Sequence, residues 1–146
     1  MQVTGVSHIP IGVRDMEKSL VFWRDFMGLQ ITGDTGEAFP ERRSVFLRWN
    51  PEKSQDSVFM SLSAARGADA RDSSTGLGQL GVNHIAFWVD DLEAYAKRAK
   101  AMGIEARMEP MTYGRRYADH EHGENFRSAM FLDPDGVAVQ LEEWRE

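Results

Sequence analysis

The sequence predicts an α+β fold of two tandem βαβββ modules, 1–63 and 82–146, joined by a linker over 64–81 within a single domain, 1–146. Three observations lead there. The chain carries an internal repeat, each copy shows the same succession of strand and helix patterns, and its 146 residues suit one domain of about 100–200 residues.

The repeat comes first. Val6-Ser-His-Ile-Pro-Ile-Gly-Val-Arg-Asp-Met-Glu17 laid on Val82-Asn-His-Ile-Ala-Phe-Trp-Val-Asp-Asp-Leu-Glu93 matches at Val6/Val82, His8/His84, Ile9/Ile85, Val13/Val89, Asp15/Asp91 and Glu17/Glu93. Unrelated sequences agree at roughly one position in twenty, so this is a duplication. The shift is 76 residues, and after a one-residue deletion Met27-Gly28-Leu29 falls on Met102-Gly103-Ile104.

Each copy opens with a strand, near Val3–Val13 and Val82–Val89, in which Ile9, Ile11 and Val13 share one face and His8, Pro10 and Gly12 the other. A helix follows. In the first copy Asp15 suits the N-cap, Met16, Leu20, Trp23 and Met27 form the apolar stripe, and Gly28 sits where a C-terminal glycine belongs. In the second, Asp90 and Glu93 suit a capping box, Leu92, Tyr95, Ala99 and Met102 form the stripe, and Gly103 ends it. Three shorter strands complete each module, near Leu29–Thr32, Ser44–Trp49 and Ser57–Ser63, then Ile104–Glu109, Phe126–Leu132 and Val137–Glu142. Asp133-Pro134-Asp135-Gly136 places Pro and Gly where a tight turn uses them. The linker, rich in Gly, Ala, Asp and Ser, separates the modules.

Composition narrows the function. Hydrophobic residues make up 42% and charged residues 27%, the balance of a globular chain. Lys+Arg is 17 against Asp+Glu 23, a formal charge of −6, so no basic face is expected for nucleic acid. The absence of cysteine excludes disulfides, thiolate nucleophiles and Cys-based metal sites, leaving N and O ligands for any metal. The N-terminus shows no signal-like segment and no apolar run reaches membrane-spanning length, so the expectation is a cytoplasmic protein with no membrane partner.

A tandem βαβββ repeat with a His in the first strand of each copy and a late Asp-Pro-Asp-Gly hairpin resembles the vicinal-oxygen-chelate superfamily. That group contains glyoxalase I, methylmalonyl-CoA epimerase, extradiol dioxygenases, fosfomycin-resistance enzymes and metal-free bleomycin-resistance proteins. The resemblance covers nearly the whole chain and is most specific over 82–92 and 131–142. It implies that the two mixed sheets curl into a cup with a divalent metal at its base, held by the first and last strands of each module. Here those positions are His8, Ser61, His84 and Gln140. Strand alternation agrees, because Phe59, Ser61 and Ser63 share one face and Ala138, Gln140 and Glu142 another. The family usually carries Glu at the position of Gln140, so this set is short of negative charge and would bind a cation less tightly than two His with two carboxylates. Neutral imidazoles with these partners suit Fe, Mn, Ni, Co or Zn.

Glu142 lies about 6–7 Å along the strand from Gln140 and could reach the metal or act as a base. The stretch 110–125 gathers Tyr113, Arg115, Arg116, Tyr117, Asp119, His120, Glu121 and His122 into one connection. Arg115 or Arg116 could clamp a substrate carboxylate, Tyr117 could line the same site, and His122 could move protons. Trp88 and Phe59, with Trp49 less well placed, could line an apolar pocket. As a bland alternative, the histidines are ordinary strand residues and the connection a solvated loop. The leading expectation is a metal-dependent enzyme acting on a small oxygen-bearing substrate, either a glyoxalase-type lyase or isomerase or an extradiol-type dioxygenase. The alternative is a metal-free protein that binds or sequesters a small molecule, as bleomycin-resistance proteins do. In either case exposed sheet edges favour a homodimer.

Overall fold

The structure is a computed structural model that describes residues 7–38, 42–50, 52, 58–65, 84–112 and 126–144. The chain divides into two compact units, Met1–Asp72 and Ser73–Glu146. Each is a βαβββ module with one four-stranded mixed sheet.

In the first unit β1 (His8–Val13) leads into α1 (Met16–Leu20), followed by β2 (Gln30–Asp34), β3 (Arg42–Arg48) and β4 (Phe59–Ala65). The sheet order is β1-β4-β3-β2, with β1 parallel to β4 and the other pairs antiparallel. Alternation sorts its side chains by polarity. Ile11, Val13, Val45, Leu47, Met60 and Leu62 are buried with Met16, Leu20 and Trp23 of the helical segment, and this is the core. Asp15 caps α1, its Oδ1 accepting from the amides of Glu17 at 3.1 Å and Lys18 at 3.2 Å. Those amides, the Lys18 amide foremost, hold its carboxyl below the usual aspartate value.

α1 does not continue as an α-helix to Met27. Over Val21–Phe26 it becomes π-helical, and the Met27 amide donates to Phe22 O at 2.9 Å. A π segment accommodates one extra residue in a helix. That residue is the one by which the first copy of the repeat exceeds the second.

The second unit repeats the plan without the insertion. β5 (Ile85–Trp88), α2 (Leu92–Met102), β6 (Ala106–Thr112), β7 (Phe126–Leu132) and β8 (Ala138–Trp144) form a sheet of order β5-β8-β7-β6, with β5 parallel to β8. The N-cap of α2 is Asp91, not the expected Asp90; its Oδ1 accepts from the Ala94 amide at 2.9 Å. Asp91 matches the capping Asp15 of the first copy, and Glu93 is thereby freed from a capping box. Gly103 ends α2 at φ 66°, in the left-handed region that favours glycine. Pro110 lies inside β6, between the irregular register points Met108 and Met111, where a missing amide costs no ladder bond. The turn forms as expected: Asp133 Oδ1 accepts from the amides of Asp135 and Val137, and Gly136 has φ 86°.

One device recurs in both units. Arg43 on β3 pairs with Glu17 in the first turn of α1 and with Asp34 on β2. Arg127 on β7 pairs with Glu93 in the first turn of α2 and with Glu143 on β8. Each guanidinium ties a helix start to the sheet that the helix covers. Among the described residues no helix is long and apolar enough to cross a membrane.

Candidate functional site

The sheet face turned away from the helix carries the candidate residues in each unit. In the first unit the register sets His8 beside Phe59 and Pro10 beside Ser61. The His8 ring stacks on Phe59 at 5.2 Å with the planes 10° apart. Its Nδ1 lies 3.2 Å from Ser7 Oγ, and Nε2 has no hydrogen-bond partner among the described residues. On the same face the Arg48 guanidinium lies 5.3 Å from the centre of the Phe59 ring, and Phe46 meets that ring edge-on. Phe59, expected as pocket lining, thus sits between an imidazole and a guanidinium. Ser61 is buried, and its hydroxyl has no hydrogen-bond partner among the described residues. Its neighbours Ser44 and Ser63 bond each other at 3.1 Å.

In the second unit Ala86 pairs with Gln140 and Trp88 with Glu142, so Gln140 holds the place that Ser61 holds in the first. His84 immediately precedes β5 and is exposed. Gln140 and Glu142 are buried. The Gln140 Nε2 donates to Ser128 Oγ at 2.8 Å and to Glu142 Oε1 at 3.0 Å. A carboxylate only accepts, so Glu142 dictates which end of the amide faces it. The Gln140 Oε1 therefore points elsewhere, with no hydrogen-bond donor to it among the described residues. An amide oxygen left open in this way is a competent hard donor for a divalent cation.

Trp88 is 62% exposed and touches Phe126 edge-on, so its ring is presented rather than packed. Trp49, after β3, is exposed as well. Arg115, Arg116, Tyr117 and His122 lie outside the described residues. Among the described residues no group of three or more His, Asp or Glu side chains gathers to hold a metal. The first unit offers an imidazole and a hydroxyl, and the second an imidazole and an oriented amide oxygen. Imidazole nitrogens and hydroxyl or amide oxygens are donor types that transition-metal cations accept.

Sequence reasoning passed over Ser128, Arg43 and Arg127. The signal was present, since Arg43-Ser44-Val45-Phe46-Leu47 lies on Arg127-Ser128-Ala129-Met130-Phe131 in the duplicated strands.

The family model for the Glyoxalase/Bleomycin resistance protein/Dioxygenase superfamily matches residues 5–141. The chain belongs to that superfamily. A "Probable lactoylglutathione lyase" of Vibrio parahaemolyticus is 29% identical over 136 residues, covering 93% of this chain and 88% of that protein. Glyoxalase I from Zea mays superimposes with a TM-score of 0.75 at 22% identity, over 97% of this chain and 45% of that one. The fosfomycin resistance protein FosX from Listeria monocytogenes, solved with Mn(II) and sulfate, gives a TM-score of 0.62 at 20% identity over 97% and 93%. These superfamily structures share the module plan seen in each unit.

Proposed function

We propose that this chain is a metal-dependent, glyoxalase-type enzyme acting on a small substrate with two adjacent oxygens. The observation that carries the reading is the Gln140 amide, held by Ser128 and Glu142 so that its oxygen stays open beside a buried carboxylate. The 29% identical relative named as a lactoylglutathione lyase favours the lyase or isomerase class over ring cleavage.

His8, Ser61, His84 and Gln140 are the donors assigned to the cation. When bound, the cation supplies Lewis-acid polarisation of the substrate oxygens. Glu142 is assigned as the proton carrier. Its carboxylate takes a proton from the carbon bearing one oxygen and returns it to the neighbouring carbon, an isomerisation needing no redox partner. Arg115 and Arg116 are assigned to an acidic end of the substrate, with Tyr117, Trp88 and Phe59 along its body and His122 as a second proton group. A second reading, metal-free sequestration of a small molecule, draws on the neutrality of both Ser61 and Gln140.

The test is the metal content of untagged protein purified without chelator, set beside His8→Ala and His84→Ala, with turnover of the glutathione hemithioacetal of a 2-oxoaldehyde. Near-stoichiometric metal lost in both variants, together with turnover, is expected. Wild-type protein that holds no metal and takes none up on dialysis overturns the enzyme reading in favour of sequestration.

A further inference from the structure

The second unit contains a half-open cleft of about 530 Å³ between α2 and β6, on the helix-covered side of its sheet and away from Gln140 and Glu142. This is within the size range of small-molecule sites. Its apolar lining comes from Ala96, Ala99, Ile104, Ala106 and Phe131.

The duplication explains why the space exists. A shift of 76 residues sets Ala96 on Leu20 and Ala99 on Trp23. In the first unit Leu20 is 2% exposed and Trp23 0%, both part of the core between helix and sheet. In the second unit only Leu92 and Ala99 of α2 are buried, so two large side chains have become methyl groups. Core space is normally close-packed, and a cleft lined in equal part by apolar and polar groups suits an amphipathic guest. The rim adds charge. Lys97 and Lys100 reach the cleft from the helix, and neither has an ion-pair partner among the described residues. Glu109 faces it from the strand, also without one. Two ammonium groups against one carboxylate leave a single positive charge, which suits a monoanion and disfavours a cation.

We propose that this cleft binds a small amphipathic monocarboxylate, its aryl or branched-alkyl body on the alanine floor and its carboxylate at Lys97 and Lys100. The site is independent of the metal reading. Binding there would order α2 against β6 without touching the opposite sheet face.

The experiment is an amide NMR titration of the full chain with phenylacetate, phenylethanol and phenethylamine as probes. Phenylacetate is expected to shift the Ala96, Ala99, Ile104 and Ala106 resonances saturably. The alcohol should bind about fivefold more weakly or worse, the difference that one or two exposed ion pairs make, and the amine not at all. Lys97→Gln/Lys100→Gln should bring phenylacetate down to the alcohol's affinity. Ala96→Leu, which returns the bulk of the first unit at a half-buried position, should abolish both without loss of circular dichroism. Ala99→Trp is the stronger filling variant, and the lysine variant stands if it fails to fold. Equal binding of acid and alcohol overturns the proposal, as do shifts confined to other residues or undiminished binding in Ala96→Leu. So does a dimer in which a second copy covers the cleft, detected as a mass that falls to monomer in Ala96→Leu.

Discussion

The Gln140 amide nitrogen lies 3.0 Å from Glu142 Oε1, so the carboxylate two residues along β8 decides which atom of the amide is offered outward. Ser128, which accepts at 2.8 Å, could accept or donate and does not decide it. Replacing Glu142 by Gln keeps the volume but lets either amide turn. Metal affinity measured by calorimetry should fall about tenfold to a hundredfold, the usual cost of losing a ligand's supporting partner. If Glu142 also carries the proton, kcat of the loaded enzyme should fall by about a hundredfold or more at saturating metal. Ser128→Ala, which leaves the orienting acceptor in place, should change affinity by less than the Glu142 variant. Unaltered metal affinity in Glu142→Gln would remove the orienting role.

Gln140→Glu tests the charge deficit directly. The variant places a second carboxylate beside Glu142, in a buried position. Two close carboxylates oppose each other's ionisation, so the metal-free protein should melt several degrees lower than wild type. A divalent cation should relieve that repulsion. The variant should therefore gain more melting temperature than wild type when Zn(II) or Mn(II) is added. Equal gains in both proteins would show that Gln140 does not face the cation.

The βαβββ plan was legible because duplication doubles every signal. His8 and His84, the strand alternation around Ser61 and Gln140, and Gly103 at its helix end all read from spacing alone. The π segment was visible only as a change of register in the repeat, since nothing in Val21–Phe26 marks an insertion locally. The N-cap was misplaced by one residue because Asp90 and Asp91 are adjacent and equally suited chemically; only the match to Asp15 separates them. The orientation of the Gln140 amide was not legible, because it depends on a carboxylate on the same strand face and a hydroxyl on the neighbouring strand at once.

Arg127 and Arg43 make equivalent links in the two units but differ in exposure, at 10% and 28% of the side chain. Removing Arg127 takes the guanidinium from the buried carboxylate of Glu143, which still accepts from the Leu92 amide at 3.4 Å, so Arg127→Ala should cost about 3 kcal/mol in urea unfolding. Arg43→Ala removes partners of which Glu17 is largely exposed, and should cost about 1 kcal/mol or less. Arg127→Met, which keeps the apolar stem, tests whether charge or packing dominates. If it matches Arg127→Ala, the lost positive charge is the cause. Equal costs for Arg43→Ala and Arg127→Ala would contradict the burial argument.

Asp34 gives the acid limb of stability a definite origin. The Arg43 guanidinium donates to both of its oxygens, and with the Gly36 amide at 2.8 Å holds its carboxyl below the usual aspartate value. In the unfolded chain the group returns to that usual value, so between the two values the unfolded state binds more protons than the folded one. Its contribution is therefore complete above the ordinary aspartate range and is lost as pH falls through the depressed folded value. Asp15, lowered by its capping amides, adds to the same limb with the same sign. Asp34→Asn should flatten the decline in unfolding free energy below about pH 4 while leaving its slope near neutrality unchanged. Denaturant melts across that range in wild type and Asp34→Asn measure the difference, and parallel acid limbs would assign the acid sensitivity to other carboxylates.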